Sequence, residues 1–284
     1  MRNERSAILA MNGAALLLGG TILFPKLIAL PPSTIIFMRA VFAALFLWVF
    51  ALLRRHSLKI SSRKDALIIM ALGALLGIHW VLLFYAIQIS TVAVAGLSFY
   101  TYPVMTAILE PLISREKIKG RDVIVASLAF AGVALMTPSF DLSSLMTRGV
   151  LVSLLTAFLF ALRNIFNRPF VQRYSGTTVM VYQLAIVAPL LWFLFDINIG
   201  EIEGKNLLLL LLLGTVFTAL PHTVFTASLG VLKAKTVSVI ASIQPLYAAI
   251  FAVLLLHEIP TVPTIVGGIV IVSCSLYESF THKG

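Results

Sequence analysis

Long apolar runs separated by short polar connectors make up nearly the whole chain. A bilayer span needs about 20 mostly apolar residues. Ten segments meet or approach that length, at roughly 6–28, 33–53, 66–88, 91–113, 122–138, 148–167, 177–195, 206–229, 236–256 and 261–280. The run from Leu207 to Leu213 is apolar on every side, as a lipid-facing helix is. Barrel strands would instead alternate over about 10 residues, a pattern not seen here. The predicted fold class is an all-α integral membrane protein with ten transmembrane helices. The first run lacks a small-residue cleavage site and is read as a retained helix, not a signal peptide. The connectors are too short for a soluble domain and carry no GxxxxGK[ST] phosphate loop, which argues against ATP-driven pumping by this chain alone.

Composition supports that reading. Of 284 residues, 60% are hydrophobic and 11% are charged, with a mean hydropathy of +1.04. A soluble domain is about 45–50% apolar and about 25% charged, so an ordinary globular enzyme and a disordered chain are both excluded. The net charge of +10 would suggest nucleic acid in a soluble protein, but the basic residues are sorted by side. With ten spans, one side holds Arg2, Arg5, Arg54, Arg55, Lys59, Arg63, Lys64, Arg115, Lys117, Lys119, Arg121, Arg168, Arg173, Lys233, Lys235 and Lys283. The other side holds Lys26, Arg148 and Lys205, and only Arg39 and Arg163 fall within spans. This split is a positive-inside signal. It places both termini in the cytoplasm of a multi-pass inner-membrane protein and leaves no nucleic-acid partner to invoke. The single cysteine, Cys274, excludes an intrachain disulfide and a cysteine-built metal site.

The two halves of the chain resemble each other. Tyr102-Pro103 is followed by Glu116, and Gln244-Pro245 by Glu258, at the same spacing and an offset of 142. Leu72-Gly73 matches Leu213-Gly214 and Phe84 matches Phe225 at offset 141; Leu23-Phe24-Pro25 matches Asn167-Arg168-Pro169 at offset 144. The repeats are read as 6–138 and 148–280. Five spans in each would force the halves into opposite orientations around a central cavity, a frequent plan for secondary transporters with the substrate site near the midplane.

In this frame the chain resembles the EamA-like branch of the drug/metabolite transporter superfamily. The residues that carry the resemblance are Phe37-Met38-Arg39-Ala40, His79-Trp80, Phe84-Tyr85-Ala86 and the two proline-to-glutamate stretches ending at Glu116 and Glu258. Two positions depart from the usual pattern: Leu18-Gly19-Gly20 stands where a tryptophan-glycine pair is common, and Arg163 where an aromatic residue is usual. The resemblance implies export or exchange of small metabolites, often amino acids, across a bacterial inner membrane.

Several residues are candidates for the mechanism. Arg39 lies about 10 Å into its span at 1.5 Å per residue, where an arginine costs about 2.5–3.5 kcal/mol at mid-helix. It is read as a contact for a substrate carboxylate or a gate, against a structural anchor that snorkels to the interface. Its repeat partner is Gln183. His79 and His222 lie within spans and can carry a proton or be satisfied by a neighbouring helix. Glu110 can titrate or form an ion pair at its span end. Pro103 and Pro245 occupy equivalent places and free the carbonyls of Phe99 and Ala241, a signature of hinges and binding sites in transporters, or else of a kink satisfied by packing.

Trp80, Phe84, Tyr85, Phe99, Tyr100 and Tyr102 form an aromatic concentration suited to an apolar lining with hydroxyl handles, or to plain helix packing. Gln244, Tyr247, Asn12, Asn164 and Asn167 add polar groups. Gly73 and Gly77 form a GxxxG that permits close helix contact within the chain. Neither paired catalytic carboxylates nor a nucleophile–base arrangement occurs, so no enzymatic activity, cofactor or metal is expected.

The expected function is amino-acid or metabolite efflux by alternating access. Arg39, His79, Trp80, Tyr85, Tyr100, Tyr102, Gln244 and Tyr247 would line the site, with Pro103 and Pro245 as hinges. Glu110 or His222 would couple a proton. The alternatives are an importer or exchanger of nucleotides, sugars or organic cations, and a non-transport membrane protein. Transport direction, coupling ion and oligomeric state are not set by the sequence.

Overall fold

The apolar runs fold as helices. The computed structural model describes residues 4–137, 140–193, 202–229, 232, 240–241 and 243–281, and every regular element among them is helical. In chain order these are α1 (Glu4–Thr21), a short α2 (Phe24–Leu27), α3 (Pro32–Leu53), α4 (Arg63–Ile89), α5 (Val92–Phe99) and α6 (Tyr102–Ser114). They continue with α7 (Gly120–Met136), α8 (Leu145–Arg173), α9 (Gly176–Trp192) and α10 (Gly204–Gly214). A π-helical turn over Thr215–Ala219 leads into α11 (Leu220–Leu229), followed by α12 (Gln244–Leu256) and α13 (Val262–Thr281). Five helical segments among the described residues are long and apolar enough to cross a bilayer: Pro32–Leu53, Arg63–Ile89, Val92–Ser114, Leu145–Arg173 and Gly204–Phe225.

Three predicted spans differ in detail. The segment 6–28 is two helices, because Pro25, in the first turn of α2, has no N–H with which to continue α1. The segment 91–113 breaks between Phe99 and Tyr102. Pro103 stands in the first turn of α6 and cannot donate to Phe99. The break is closed by Tyr100 N–H on Gly96 O (3.0 Å) and Thr101 N–H on Ser98 O (3.3 Å). The exposed Tyr100 carbonyl accepts the Ser275 hydroxyl from α13 at 3.0 Å. The segment 236–256 is described only in part. Lys233 and Lys235 lie outside the described residues, as do Arg2 and Lys283.

Helices from the two halves of the chain interleave. Gly73 on α4 lies against α9 so closely that a Cβ would sit 2.6 Å from the Gln183 Cα. Gly214 on α10 lies against α3, where a Cβ would sit 3.0 Å from the Arg39 carbonyl and 2.5 Å from the Phe42 Cβ. Side-chain-free contact at these two places lets four helix backbones approach. Phe37, Trp80, Phe84, Met180, Leu184 and Leu213 pack into one core around them. Large apolar side chains such as Leu45, Trp48, Leu52, Leu208 and Leu254 face outward, a surface that suits lipid and not water.

Polar contacts tie both ends of the bundle. At one end, Lys26 Nζ donates to the Ser90 carbonyl (2.6 Å), and Glu258 accepts the Val92 N–H at 2.8 Å, capping α5. Lys26 Nζ also stands 4.0 Å from the Glu258 carboxylate. At the other end, Asp65 accepts from Arg173 and from the Tyr174 hydroxyl, each at 2.7 Å. Arg168 pairs there with Glu110 at 2.7 Å.

Candidate functional site

Two polar groups lie among the apolar helices, both against α4, through the adjacent residues Trp80 and His79. The first surrounds Arg39. Its side chain is 3% exposed, and its guanidinium carbon lies 3.8 Å from the Trp80 ring centroid and 5.6 Å from that of Phe84. Trp80 and Phe84 are four residues apart and so share the face of α4 that meets α3. Arg39 Nε donates to the Thr218 hydroxyl oxygen at 2.8 Å.

The π-helical turn positions Thr218. Its hydroxyl donates to the Leu213 carbonyl five residues back, at 2.6 Å, so its oxygen is left to accept from Arg39. The same turn leaves the Phe217 carbonyl to accept from Thr21 on α1, at 2.9 Å. π-Turns of this kind are often found at functional sites. Among the described residues no hydrogen bond reaches either terminal nitrogen of Arg39. Stacking on a desolvated indole is worth about 2 kcal/mol and offsets only part of the cost of burying the charge.

The second group centres on His79, the residue before Trp80 on α4. His79 is 2% exposed, stacked on Phe99 at 5.4 Å and tilted against Phe160 of α8 at 4.8 Å. Its Nδ1 is buried without a hydrogen-bond partner among the described residues. Tyr102 meets Phe160 edge-on at 4.8 Å, and the Tyr100 hydroxyl donates to Gln244 Oε1 at 2.8 Å.

Arg163 lies one turn beyond Phe160 and bonds Gln183 Oε1 and, at 3.2 Å, Asn164 Oδ1. Gln183 is fully buried and donates onward to Asn167 Oδ1 at 2.9 Å. Its amide is oriented by that chain, since its oxygen must face the arginine and its nitrogen the asparagine.

Of the residues expected to line a site, Arg39 and Trp80 fall in the first group and His79, Tyr100, Tyr102 and Gln244 in the second. Tyr247 stands one turn after Gln244 and packs beside Gly19 and the Ala7–Met11–Ala15 face of α1. Tyr85 joins neither group. It is 42% exposed and lies about 100° round α4 from the buried Phe84. His222 borders a small cavity with Leu47, Thr177 and Met180.

Glu110 sits at the Asp65 end in its ion pair with Arg168, away from both buried groups. Asn12 turns back onto the Ile8 carbonyl at 2.9 Å. Pro103 and Pro245 each occupy the first turn of their helix, α6 and α12. Sequence reasoning did not single out Thr218, Phe160 or Gln183 as site residues. Arg163 carried a usable signal, being one of two basic residues within spans.

The chain that carries these groups has known relatives. The chain belongs to the EamA-like transporter family, which it matches over residues 5–137 and 147–277. It is 24% identical over 255 residues to YxxF, an uncharacterised transporter of Bacillus subtilis, covering 88% of this chain and 81% of that one. It is 26% identical over 259 residues to the pseudopaline exporter CntI of Pseudomonas aeruginosa, covering 90% of this chain and 88% of that one. A solved crystal structure shares the fold at a TM-score of 0.67, with 18% identity and 96% of each chain covered. The protein is thus a multi-pass membrane protein of a transporter family.

Proposed function

We propose that the protein is a secondary transporter that exports amino acids or similarly sized metabolites by alternating access. The reading has ten spans in two inverted five-helix repeats, 6–138 and 148–280, with both termini in the cytoplasm and the protein in the inner membrane. The observation that carries it is the crossed packing of α4 on α9 and α10 on α3. Gly73 and Gly214 are repeat partners, as are Arg39 and Gln183, and Gly73 contacts Gln183 while Gly214 contacts Arg39. Exchanged contacts of this kind are what a two-fold relation between halves produces, and the polar groups sit on that axis of contact. The relation to an exporter in the same family supports the direction.

Arg39, His79, Trp80, Tyr100, Tyr102, Gln244 and Tyr247 would hold the substrate. The helix breaks at Pro103 and Pro245 would serve as hinges, since an interrupted helix bends there without breaking further hydrogen bonds. The ties at both bundle ends would have to open in turn. A proton is the candidate coupling ion, carried by His222 or Glu110. Uptake of radiolabelled amino acids into proteoliposomes, with and without a proton gradient, tests the reading. Flux above protein-free vesicles is expected; its absence for every amino acid, under both conditions, would sink the amino-acid version.

A further inference from the structure

We propose that the buried site takes a net anion: a small organic acid whose carboxylate is held by the terminal nitrogens of Arg39, and not a cation or a neutral zwitterion. The inference deepens the transport reading and rests on it for the site's role. Arg39 is buried, and its two terminal nitrogens have no hydrogen-bond acceptor among the described residues. Its orientation is nonetheless fixed, by Thr218 at Nε and by the Trp80 face. A guanidinium locked on one edge and open on the other presents two parallel donors, the geometry that a carboxylate accepts. The second cation within the spans, the half-buried Arg163, is bonded among the described residues by the neutral oxygens of Gln183 and Asn164, and its buried Nε lacks a partner among them.

The described carboxylates are all committed or remote. Asp65 is held by Arg173 and Tyr174, Glu110 by Arg168, and Asp122 by Arg121, while Glu258 caps α5 beside Lys26. Asp141 is bonded within its loop by Ser143. Glu278 lies one turn beyond Cys274 on α13, the helix that packs mainly against α7. Glu4, Glu116 and Glu203 are exposed. The core around α3, α4 and α8 therefore carries two positive charges that the described protein does not neutralise. An incoming carboxylate would remove the cost of leaving Arg39 uncompensated, whereas a cation would add to it. The rings of Phe99, Phe160 and Tyr102, gathered around His79 next to Trp80 on α4, would accept the apolar body of such an acid.

The test is thermal unfolding of the purified full-length protein in detergent, at constant ionic strength. The probes are succinate, glutamate, leucine and putrescine. Succinate or glutamate should raise the Tm saturably, leucine less, and putrescine not at all. Arg39→Gln should lose the anion-dependent shift while its own Tm without ligand stays level or rises, because a buried uncompensated charge has gone. Arg163→Gln should weaken the shift. If Arg39→Gln does not fold, Arg39→Lys replaces it and should reduce the saturation affinity at least tenfold, since the paired donors are lost.

Equal stabilisation by leucine or putrescine, a full shift retained in both Arg39 variants, or no shift with either acid would overturn the proposal. The readout separates this inference from the transport reading. Anion stabilisation without flux would keep the site and sink transport; flux of leucine or putrescine without anion stabilisation would do the reverse.

Discussion

The guanidinium of Arg39 lies over the indole of Trp80, its carbon 3.8 Å from the ring centroid, while its Nε is held by Thr218 from the opposite half of the chain. One side chain thus joins α3, α4 and the π-helical turn after α10. The contact orders the arginine without neutralising it, as the proposed binding role requires. A snorkelling arginine would extend to the interface and be exposed, whereas this one is buried.

Thr218 is the specific acceptor. Thr218→Val keeps the volume but removes the oxygen, leaving a charged donor unsatisfied in the core, at a cost of about 1.5–3 kcal/mol. Thermal unfolding should show a lower Tm for Thr218→Val, and Thr218→Ser should restore most of it. An unchanged Tm in Thr218→Val would mean that the bond does not hold Arg39.

Two glycines, one in close contact and one in open space, predict opposite signs for one substitution type. A Cβ at Gly73 would meet the Gln183 backbone at 2.6 Å, whereas nothing lies within 4 Å of one at Gly13. Gly73→Ala should destabilise by about 1–3 kcal/mol through overpacking. Gly13→Ala, in the interior of α1, should gain up to about 1 kcal/mol of helix propensity. The two melting curves in one detergent check both. Gly73→Ala as stable as the parent would remove the close approach of α4 and α9.

Glu258 should hold one end of the bundle shut. Its carboxylate caps α5 through the Val92 N–H and faces Lys26. Glu258→Ala removes a charge-assisted bond worth about 1.5–3 kcal/mol, enough to raise the open fraction tenfold or more. With Cys274 replaced by Ala, a cysteine introduced at the buried Ser98 should react faster with a water-soluble maleimide in Glu258→Ala than in the parent. Equal labelling rates would show that this contact does not gate access.

The sequence carried the architecture well and the site unevenly. Helical membrane segments were legible because the bilayer demands long apolar runs. The break before Tyr102 was legible from Pro103, whose missing N–H is a covalent fact. The face of a helix was harder to read. Phe84 and Tyr85 are adjacent and both aromatic, yet one is buried and the other exposed, a difference hidden in the sequence because apolar composition all round a membrane helix erases the amphipathic signal.

Thr218 was hidden for a different reason. A π turn shifts every following side chain round the axis by an amount that no α-periodic reading supplies. Gln183 entered the sequence reading only as the repeat partner of Arg39. Its bond to Arg163 depends on α8 and α9 meeting, which sequence spacing does not specify.

Counterflow tests the central claim, that a carrier with Arg39 at its site alternates access across the membrane. Proteoliposomes are loaded with an excess of unlabelled substrate, glutamate first, and diluted into a trace of the same compound carrying a radiolabel. The account predicts a transient accumulation of label above equilibrium, lost in Arg39→Gln protein that is folded and reconstituted to the same density. Label that only equilibrates, or an overshoot unchanged in Arg39→Gln, would contradict it.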